Sequence, residues 1–444
     1  MAAEQRGGHI RPGTPEQPAM GGFSVNQAQT CKPFEISKHL VWGAYKRVRA
    51  NRGSAGVDGV SIASFEERLG DNLYKVWNRL SSGSWFPPPV KRVEIPKGNG
   101  GTRPLGIPTV ADRVAQMAVK MAMEPLVEPI FHPDSYGYRP GKSALDAVGT
   151  ARQRCWRRDW VVDLDIKGFF DTIDHDLLMR AVRKHVSERW MLIAIERWLT
   201  APVQLADGTI AVRTRGTPQG GVISPLLANL FLHYVFDDWL RRHRPSIQYE
   251  RYADDAVCHC RSQREAETLL ADLRQRFGTC GLTLHPAKTK IVYCKDDDRR
   301  RDYPVTAFDF LGYTFRARRS KNRHGKFFVN FSPAMSNAAG KRIREEMRSW
   351  RLHLRSDKSL EDLGRMFRQT LVGWINYYGR FYKSAMYPTF QHLDRTLSRW
   401  ATRKFKRFRG HSRRAAQWLV GVARRDPRLF PHWRLLWRKC RIGM

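Results

Sequence analysis

The chain has 444 residues, 42% of them hydrophobic, enough for a sizeable core and for two or three domains. No apolar run is long enough to span a membrane, and the first residues lack the charged-then-apolar pattern of a secretory signal, so membrane and secreted classes are not expected. Lys and Arg number 78 against 42 Asp and Glu, a formal charge of +36, which calls for a polyanionic partner and most often a nucleic acid. The excess is uneven, because Phe331 to Met444 holds 27 basic and 7 acidic residues. Ribosomal and chromatin-like proteins share this bias, so charge alone names no function. Seven cysteines without a C-x-x-C pair read as free thiols of a reducing compartment.

Residues 1–30 are rich in Gly, Pro, Gln and Ala without periodicity and are expected to be a disordered tail. From Phe34, the apolar positions Ile36, Leu40, Val41, Ala44, Tyr45 and Val48 recur at helical spacing. A second helix is predicted over Ser64–Ser81. Lys91–Pro108 reads as two strands around Gly98-Asn99-Gly100-Gly101, with Lys97 and Arg103 beside the turn. Such a hairpin can grip a triphosphate, although basic hairpins are common in unrelated folds. After a helix at Asp112–Val127 comes Ser135–Ser143, where tyrosines interleave with Arg139 and Lys142. That mixture suits base stacking and phosphate contact.

Trp160–Lys167 alternates. Trp160, Val162, Leu164 and Ile166 form an apolar floor, while Asp163 and Asp165 stand on what reads as an open face. Asp is depleted in strands, which makes this stretch unusual. Asp174 is placed to cap a helix from His175, and another helix covers Glu188–Thr200. Gly216-Thr217-Pro218-Gln219-Gly220-Gly221 leads to Ser224-Pro225, which reads as an N-cap with proline at the first helical position. Val222–Val235 is then a buried helix. Ile247–Cys260 reads as a hairpin with Asp254 and Asp255 at its turn, and Cys258 and Cys260 facing one side. For an isolated pair of acids a solvated turn is the ordinary reading, but two adjacent carboxylates in so basic a chain call for a cation. Beyond lie an amphipathic helix (Glu265–Phe277), a turn at His285-Pro286 carrying Lys288 and Lys290, a hairpin at Lys295–Asp302 with a solvated tip, and a final strand at Phe310–Phe315. Past residue 330 the pattern is wholly helical. One stripe there, from Leu393 to Phe408, is backed by basic residues including Arg399, Arg403, Lys404 and Arg407, where binding is expected.

Taken together, R-P-L-G-I-P, Y-G-Y-R-P-G-K-S, D-I-K-G-F-F-D-T-I-D-H, T-P-Q-G-G-V-I-S-P-L-L-A-N, Y-A-D-D, K-T-K and F-L-G-Y-T-F occur over residues 34–316 in the order seen in bacterial group II intron-encoded reverse transcriptases. The chain resembles that family, and L-V-G-W-I-N-Y-Y-G-R-F-Y resembles its maturase (X) domain. The resemblance implies an α+β right-hand polymerase, with fingers and an antiparallel palm sheet over 31–316 and an α-helical thumb or maturase domain over 330–410. It leaves 411–444 as a basic tail and possible DNA-binding segment. The family's HNH endonuclease has no counterpart here, which suggests the endonuclease-lacking class. The implied activity is RNA-directed DNA polymerisation with assistance to intron splicing and mobility, in the bacterial cytoplasm. Its cofactors would be two Mg²⁺ ions, with Mn²⁺ as a substitute, and carboxylates are natural ligands for them. By resemblance Asp165, Asp254 and Asp255 hold the metals, Lys97 and Arg103 the triphosphate, and Gln219 the nucleotide or template. Phe170 crowds the ribose 2′-hydroxyl. Arg139, Lys142 and Lys288 join the C-terminal basic residues as nucleic-acid contacts. The implied partners are intron RNA, an RNA template with DNA primer or target DNA, and deoxynucleotides. A splicing-only maturase with a decayed polymerase, a free-standing reverse transcriptase and a viral RNA polymerase are the rival readings. The three aspartates argue against decay, and Y-A-D-D in place of G-D-D argues against the viral enzyme.

Overall fold

A computed structural model describes residues 32–96 and 101–437. The tail expected over 1–30 and the triphosphate contact expected of Lys97 lie outside these residues. The first helix, Lys38–Ala50, starts at a Ser37 cap and buries Val41, Ala44, Tyr45 and Val48. The helix expected over Ser64–Ser81 is two helices, Ile62–Glu66 and Leu69–Ser81. Asn72 Nδ2 donates to Phe65 O (2.9 Å) and satisfies the carbonyl freed at the break.

The strands form three sheets. In chain order they are β1 (Val90–Pro96), β2 (Thr102–Ile107), β3 (Trp160–Leu164), β4 (Val203–Gln204), β5 (Ile210–Ala211), β6 (Gln248–Tyr252), β7 (Asp255–Cys260), β8 (Lys290–Tyr293), β9 (Ala307–Phe310), β10 (Tyr313–Lys321) and β11 (Phe327–Met335). The orders are β2-β1-β4-β5, β6-β7-β3-β8 and β11-β10-β9. The middle sheet is wholly antiparallel and has helices on one face, where Val162, Leu164, Cys258 and Cys260 join the main core. Its other face is also covered. Val161, Val257 and Val292 are buried against the helix Ala144–Cys155 and against Phe308, Phe315 and Phe331 of the third sheet. The open face expected beside Asp163 and Asp165 therefore exists only at the strand's end, because a second layer closes the rest.

Other expectations need correction. Lys295–Asp302 is not a hairpin, since β8 and β9 belong to different sheets. The segment is a fastened loop in which Arg299 donates to Cys155 O (2.8 Å) and Arg158 O (2.7 Å) and pairs with Asp296. Phe310–Phe315 is not one strand but a turn between two, with Leu311 (φ +51°) and Gly312 (φ +79°) in the left-handed region. The sheet continues to Met335, well past the point where helices were expected to begin. Ser224 does not cap its helix. Its hydroxyl accepts from Thr217 Oγ1 (2.8 Å), and Gln116 Oε1 takes the amides of Val222 (2.7 Å) and Ile223 (3.4 Å) instead.

The C-terminal part is helical from Asn337 and has its own core, in which Leu363, Leu371, Leu393, Leu397 and Trp400 are fully buried. Residues 411–437 are no tail. Helices Ser412–Arg425 and Pro431–Trp437 close this core with Ala415, Leu419, Phe430 and Trp433. The two halves meet at F-L-G-Y, where Tyr313 OH donates to Tyr377 O and Tyr377 OH donates to Leu311 O (2.9 Å). Among the described residues no helix is long and apolar enough to cross a membrane.

Candidate active site

Register brings the acids together. β6 and β7 pair Tyr252 with Asp255, so Ala253 and Asp254 are the two turn residues of the hairpin. β7 pairs Ala256 with Leu164 of β3, and one step further along places Asp165 beside Asp255. Ala253 has φ +56°, the left-handed conformation that primed hairpin turns require and that glycine adopts most easily. The turn is braced from beneath to hold it. Arg251, 1% exposed, donates to Ala253 O (3.1 Å) and Asn229 Oδ1 (3.0 Å). Its other nitrogens fork onto Asp237 at 2.8 and 2.5 Å. Asn229 Nδ2 in turn donates to Gly137 O (2.6 Å), and a Cβ on Gly137 would collide with Ala253 N. On the hairpin's other side, Arg154 joins Glu250 (2.6 Å) to Asp134 (2.7 Å), and Glu250 also meets His259 Nε2 (2.6 Å).

Asp165 lies just past β3, in a cradle made by the turn after His285. Its carbonyl accepts from His285 N (2.8 Å), and its carboxylate receives Lys288 Nζ (2.9 Å). Loss of water, then Asp254 and Asp165, pushes Asp255 up to about 7. Loss of water also raises Asp254, with Asp165 adding to the effect against Arg103 and Lys288. Asp163 rises to about 7 for the same first reason, and Lys290, 3.8 Å away, opposes the shift. Asp163, Asp254 and Asp255 hold their protons more tightly than free carboxylates do. A bound cation would oppose that tendency, and an all-oxygen donor set suits a hard divalent ion. Among the described residues no three His, Cys, Asp or Glu side chains converge closely enough to enclose a metal ion.

The neighbouring wall comes from the P-Q-G-G loop. Gly106 N donates to Gln219 O (2.6 Å), which docks the loop on β2. Gly220, at φ +109°, lies so close to Gly106 O that no side chain would fit. Arg103 Nε reaches Gln219 Oε1 (2.7 Å), so these two predicted nucleotide contacts do meet. Thr217 N donates to Phe170 O (2.7 Å), which sets Phe170 under the same loop, 8% exposed. Beside it opens a cavity of about 390 Å³ lined by Arg92, Asp171, Arg213, Arg215 and Gln219.

Other predicted residues are not brought here. The Arg139 side chain is 7% exposed and committed to the fold, donating to Glu128 (2.9 Å), His132 O (2.6 Å) and Ser135 O (2.7 Å). Lys142 is half-buried and reaches Pro133 O (2.9 Å). Arg399, Arg403 and Arg407 are exposed on the C-terminal helical part, and Lys404 donates to Ser356 O (2.8 Å). Sequence reasoning missed Tyr138, half exposed beside Tyr252 and in the fields of Asp254 and Arg103, though the tyrosines of its loop were a signal. It also missed Arg213 and Arg215, whose only signal was two bases before a glycine loop, and the buried Arg251.

The acidic strand end, the acidic turn and the glycine-rich loop thus meet beside a basic cavity. Residues 95–315 match the reverse transcriptase (RNA-dependent DNA polymerase) family, and residues 340–418 match the group II intron, maturase-specific domain. Protein YkfC of Escherichia coli (strain K12) is 34% identical over 313 residues, 62% of this chain and 78% of that protein. Group II intron-encoded protein LtrA of Lactococcus lactis subsp. cremoris is 36% identical over 203 residues, 45% of this chain and 33% of that one. The putative COX1/OXI3 intron 1 protein of Saccharomyces cerevisiae is 24% identical over 322 residues, 61% of this chain and 37% of that protein. The chain belongs to the reverse transcriptases that carry a group II intron maturase domain, and is an RNA-directed DNA polymerase by class.

Proposed function

We propose that the hairpin turn is the polymerase centre of a right-hand enzyme, with fingers and palm before β10 and a thumb made by the helices from Asn337 onward. The observation that carries this reading is the register that sets Asp165 beside Asp255 and Asp254, with Arg103 and Lys288 at the rim. Asp165 and Asp254 would hold divalent cations, Mg²⁺ by preference, with Asp255 as the weaker ligand. When bound, such ions activate the primer 3′-hydroxyl and neutralise the leaving pyrophosphate. Lys288 would release Asp165 and pair with phosphate instead. Arg103, steered by Gln219, would bind the triphosphate of a deoxynucleotide, and Tyr138 offers a face to the base or sugar. Arg399, Arg403, Lys404 and Arg407 would bind intron RNA, Arg399 lining a cavity of about 480 Å³ together with Arg395 and Arg413. The substrates are thus an RNA template with a DNA primer, and the splicing partner is intron RNA.

Phe170 gives the test. Buried beneath the loop that carries Gln219, it would crowd the 2′-position of an incoming sugar. On an RNA template the wild type should extend a DNA primer with dNTPs and reject rNTPs. Phe170→Ala should raise the rNTP:dNTP incorporation ratio by about tenfold or more, since steric exclusion of a small group is typically about 1–3 kcal/mol. An unchanged ratio with extension intact removes Phe170 from the sugar, and wild-type protein that fails to copy RNA at all contradicts the function.

A further inference from the structure

The hairpin of β10 and β11 outruns the rest of its sheet. β9 pairs with β10 only as far as Arg316, and from there to Lys321 the strand has β11 as its partner among the described residues. Between residues 316 and 326 the sequence has six basic residues and no acid. None of the six pairs with a carboxylate among the described residues. Arg318 donates only to carbonyls, Ser332 O (3.1 Å) and Thr314 O (3.0 Å), and loss of water and the Arg316 charge push it down to about 10. At the tip Phe327 is 53% exposed and Phe328 36%, and the Arg319 guanidinium stacks 4.0 Å from the Phe327 ring centre. Phe327 and Phe328 are neighbours in β11 and face opposite sides, so the tip offers one part-exposed ring on each face beside uncompensated positive charge, which fits phosphates and unstacked bases.

Its position separates it from the catalytic turn. Tyr293 of β8 stands opposite Trp160, the start of β3, and its amide donates to Val305 O just before β9. Val329 N is held by Asp297 Oδ2 (2.8 Å), and Trp156 Nε1 donates to Phe331 O (2.8 Å), both also near the start of β3. Asp165 is at the other end. The exposed tip therefore leaves the sheet on the side away from the aspartates, and the rise from Tyr313 to Lys321 alone is about 27 Å at strand spacing.

We propose that this tip is a separate RNA-docking surface, which binds a folded RNA through its backbone and through unpaired loop bases stacked on Phe327 and Phe328. A fully paired product duplex would satisfy the charges but offer the rings nothing, because its bases are already stacked. The inference rests on the reading that the chain has a structured RNA partner.

Two variants test it, both at exposed positions: Arg319→Ser/Lys321→Ser/Arg323→Ser/Lys326→Ser, and Phe327→Ser/Phe328→Ser. The probes are a folded transcript of the DNA flanking the reading frame and a blunt RNA–DNA duplex without unpaired bases. The basic variant should flatten the slope of log affinity against log salt for the transcript by roughly 3, since each phosphate contact contributes about 0.7–0.9. The phenylalanine variant should bind the transcript about tenfold more weakly with the slope unchanged, the effect of losing about one stacked base. Both should melt as the wild type does and extend a short preannealed primer normally. Unchanged transcript affinity in both variants overturns the proposal, as does an equal loss on the blunt duplex, which would assign the tip to the product helix. Wild-type protein that ignores the transcript overturns the RNA-partner reading as well.

Discussion

Asp254→Asn should stop primer extension while leaving the protein folded and able to bind RNA. The expected loss is about a thousandfold or more, since charge stabilisation by a metal supplies several kcal/mol and each 1.36 kcal/mol is a factor of ten. The substitution removes one charge from a crowded group, so stability should hold or rise slightly. Desolvation and the neighbouring carboxylates already disfavour the ionised form of Asp255 and Asp254, and a neutral amide at 254 relieves part of that cost. Asp255, freed of one neighbouring charge, should titrate lower than about 7. Extension assays and a thermal melt separate the two effects. Activity lost together with a collapsed melt would make Asp254 a folding residue, and extension retained at the wild-type rate would remove it from the site.

The second large effect is structural. Arg251→Met should destabilise the protein by about 3–5 kcal/mol, the usual result of leaving one member of a buried ion pair without its partner. The orphan is Asp237, buried beneath the hairpin, with His233 at 4.0 Å and the His132 imidazole also in its field. The double variant Arg251→Met/Asp237→Leu should recover most of that loss, because a buried pair replaced by apolar groups is often close to neutral. Its extension rate should nonetheless stay low, since the bond from Arg251 to Ala253 O is gone and the left-handed turn is less firmly held. Urea unfolding of the three proteins tests the pair. A double variant no more stable than Arg251→Met, or one that extends primers at the wild-type rate, contradicts this account of the brace.

The central hairpin was legible because its signal is local: acids that break two β-prone runs make a turn whatever surrounds them. The contact between Arg103 and Gln219 was not, because the resemblance gives each residue a role without joining the two. What failed depended on layers and on distant partners. The alternation at Trp160–Lys167 reads as a one-faced strand, yet Val161 is buried because a third sheet, ending at Met335, covers the second face. That sheet is itself hidden in the sequence, since R-A-R-R-S-K forms a strand with no apolar alternation to reveal it. Arg139 looked like a phosphate ligand because its loop is rich in tyrosine, while its carboxylate partner, Glu128, stands eleven residues upstream. Arg251 sits three residues before Asp254, yet its sequence context gives no sign of its role. A strand arginine reads as exposed until Asp237, on a preceding helix, is seen beneath it. The C-terminal basic segment reads as a tail for a related reason, because Phe430 and Trp433 are core residues only once the helices from Leu360 and Tyr387 are in place.

The claim that Asp165 and Asp254 hold the catalytic cations is tested most directly by replacing Mg²⁺ with Fe²⁺ and mapping where ascorbate and peroxide cut the chain. Hydroxyl radicals act close to the bound iron, so the account predicts cleavage in two segments distant in sequence, one around Asp165 and one around Ala253–Asp255. Excess Mg²⁺ should suppress both cuts together, and Asp165→Asn/Asp254→Asn should abolish both. Cuts confined to other segments, or a cleavage pattern that the double variant leaves unchanged, would contradict it.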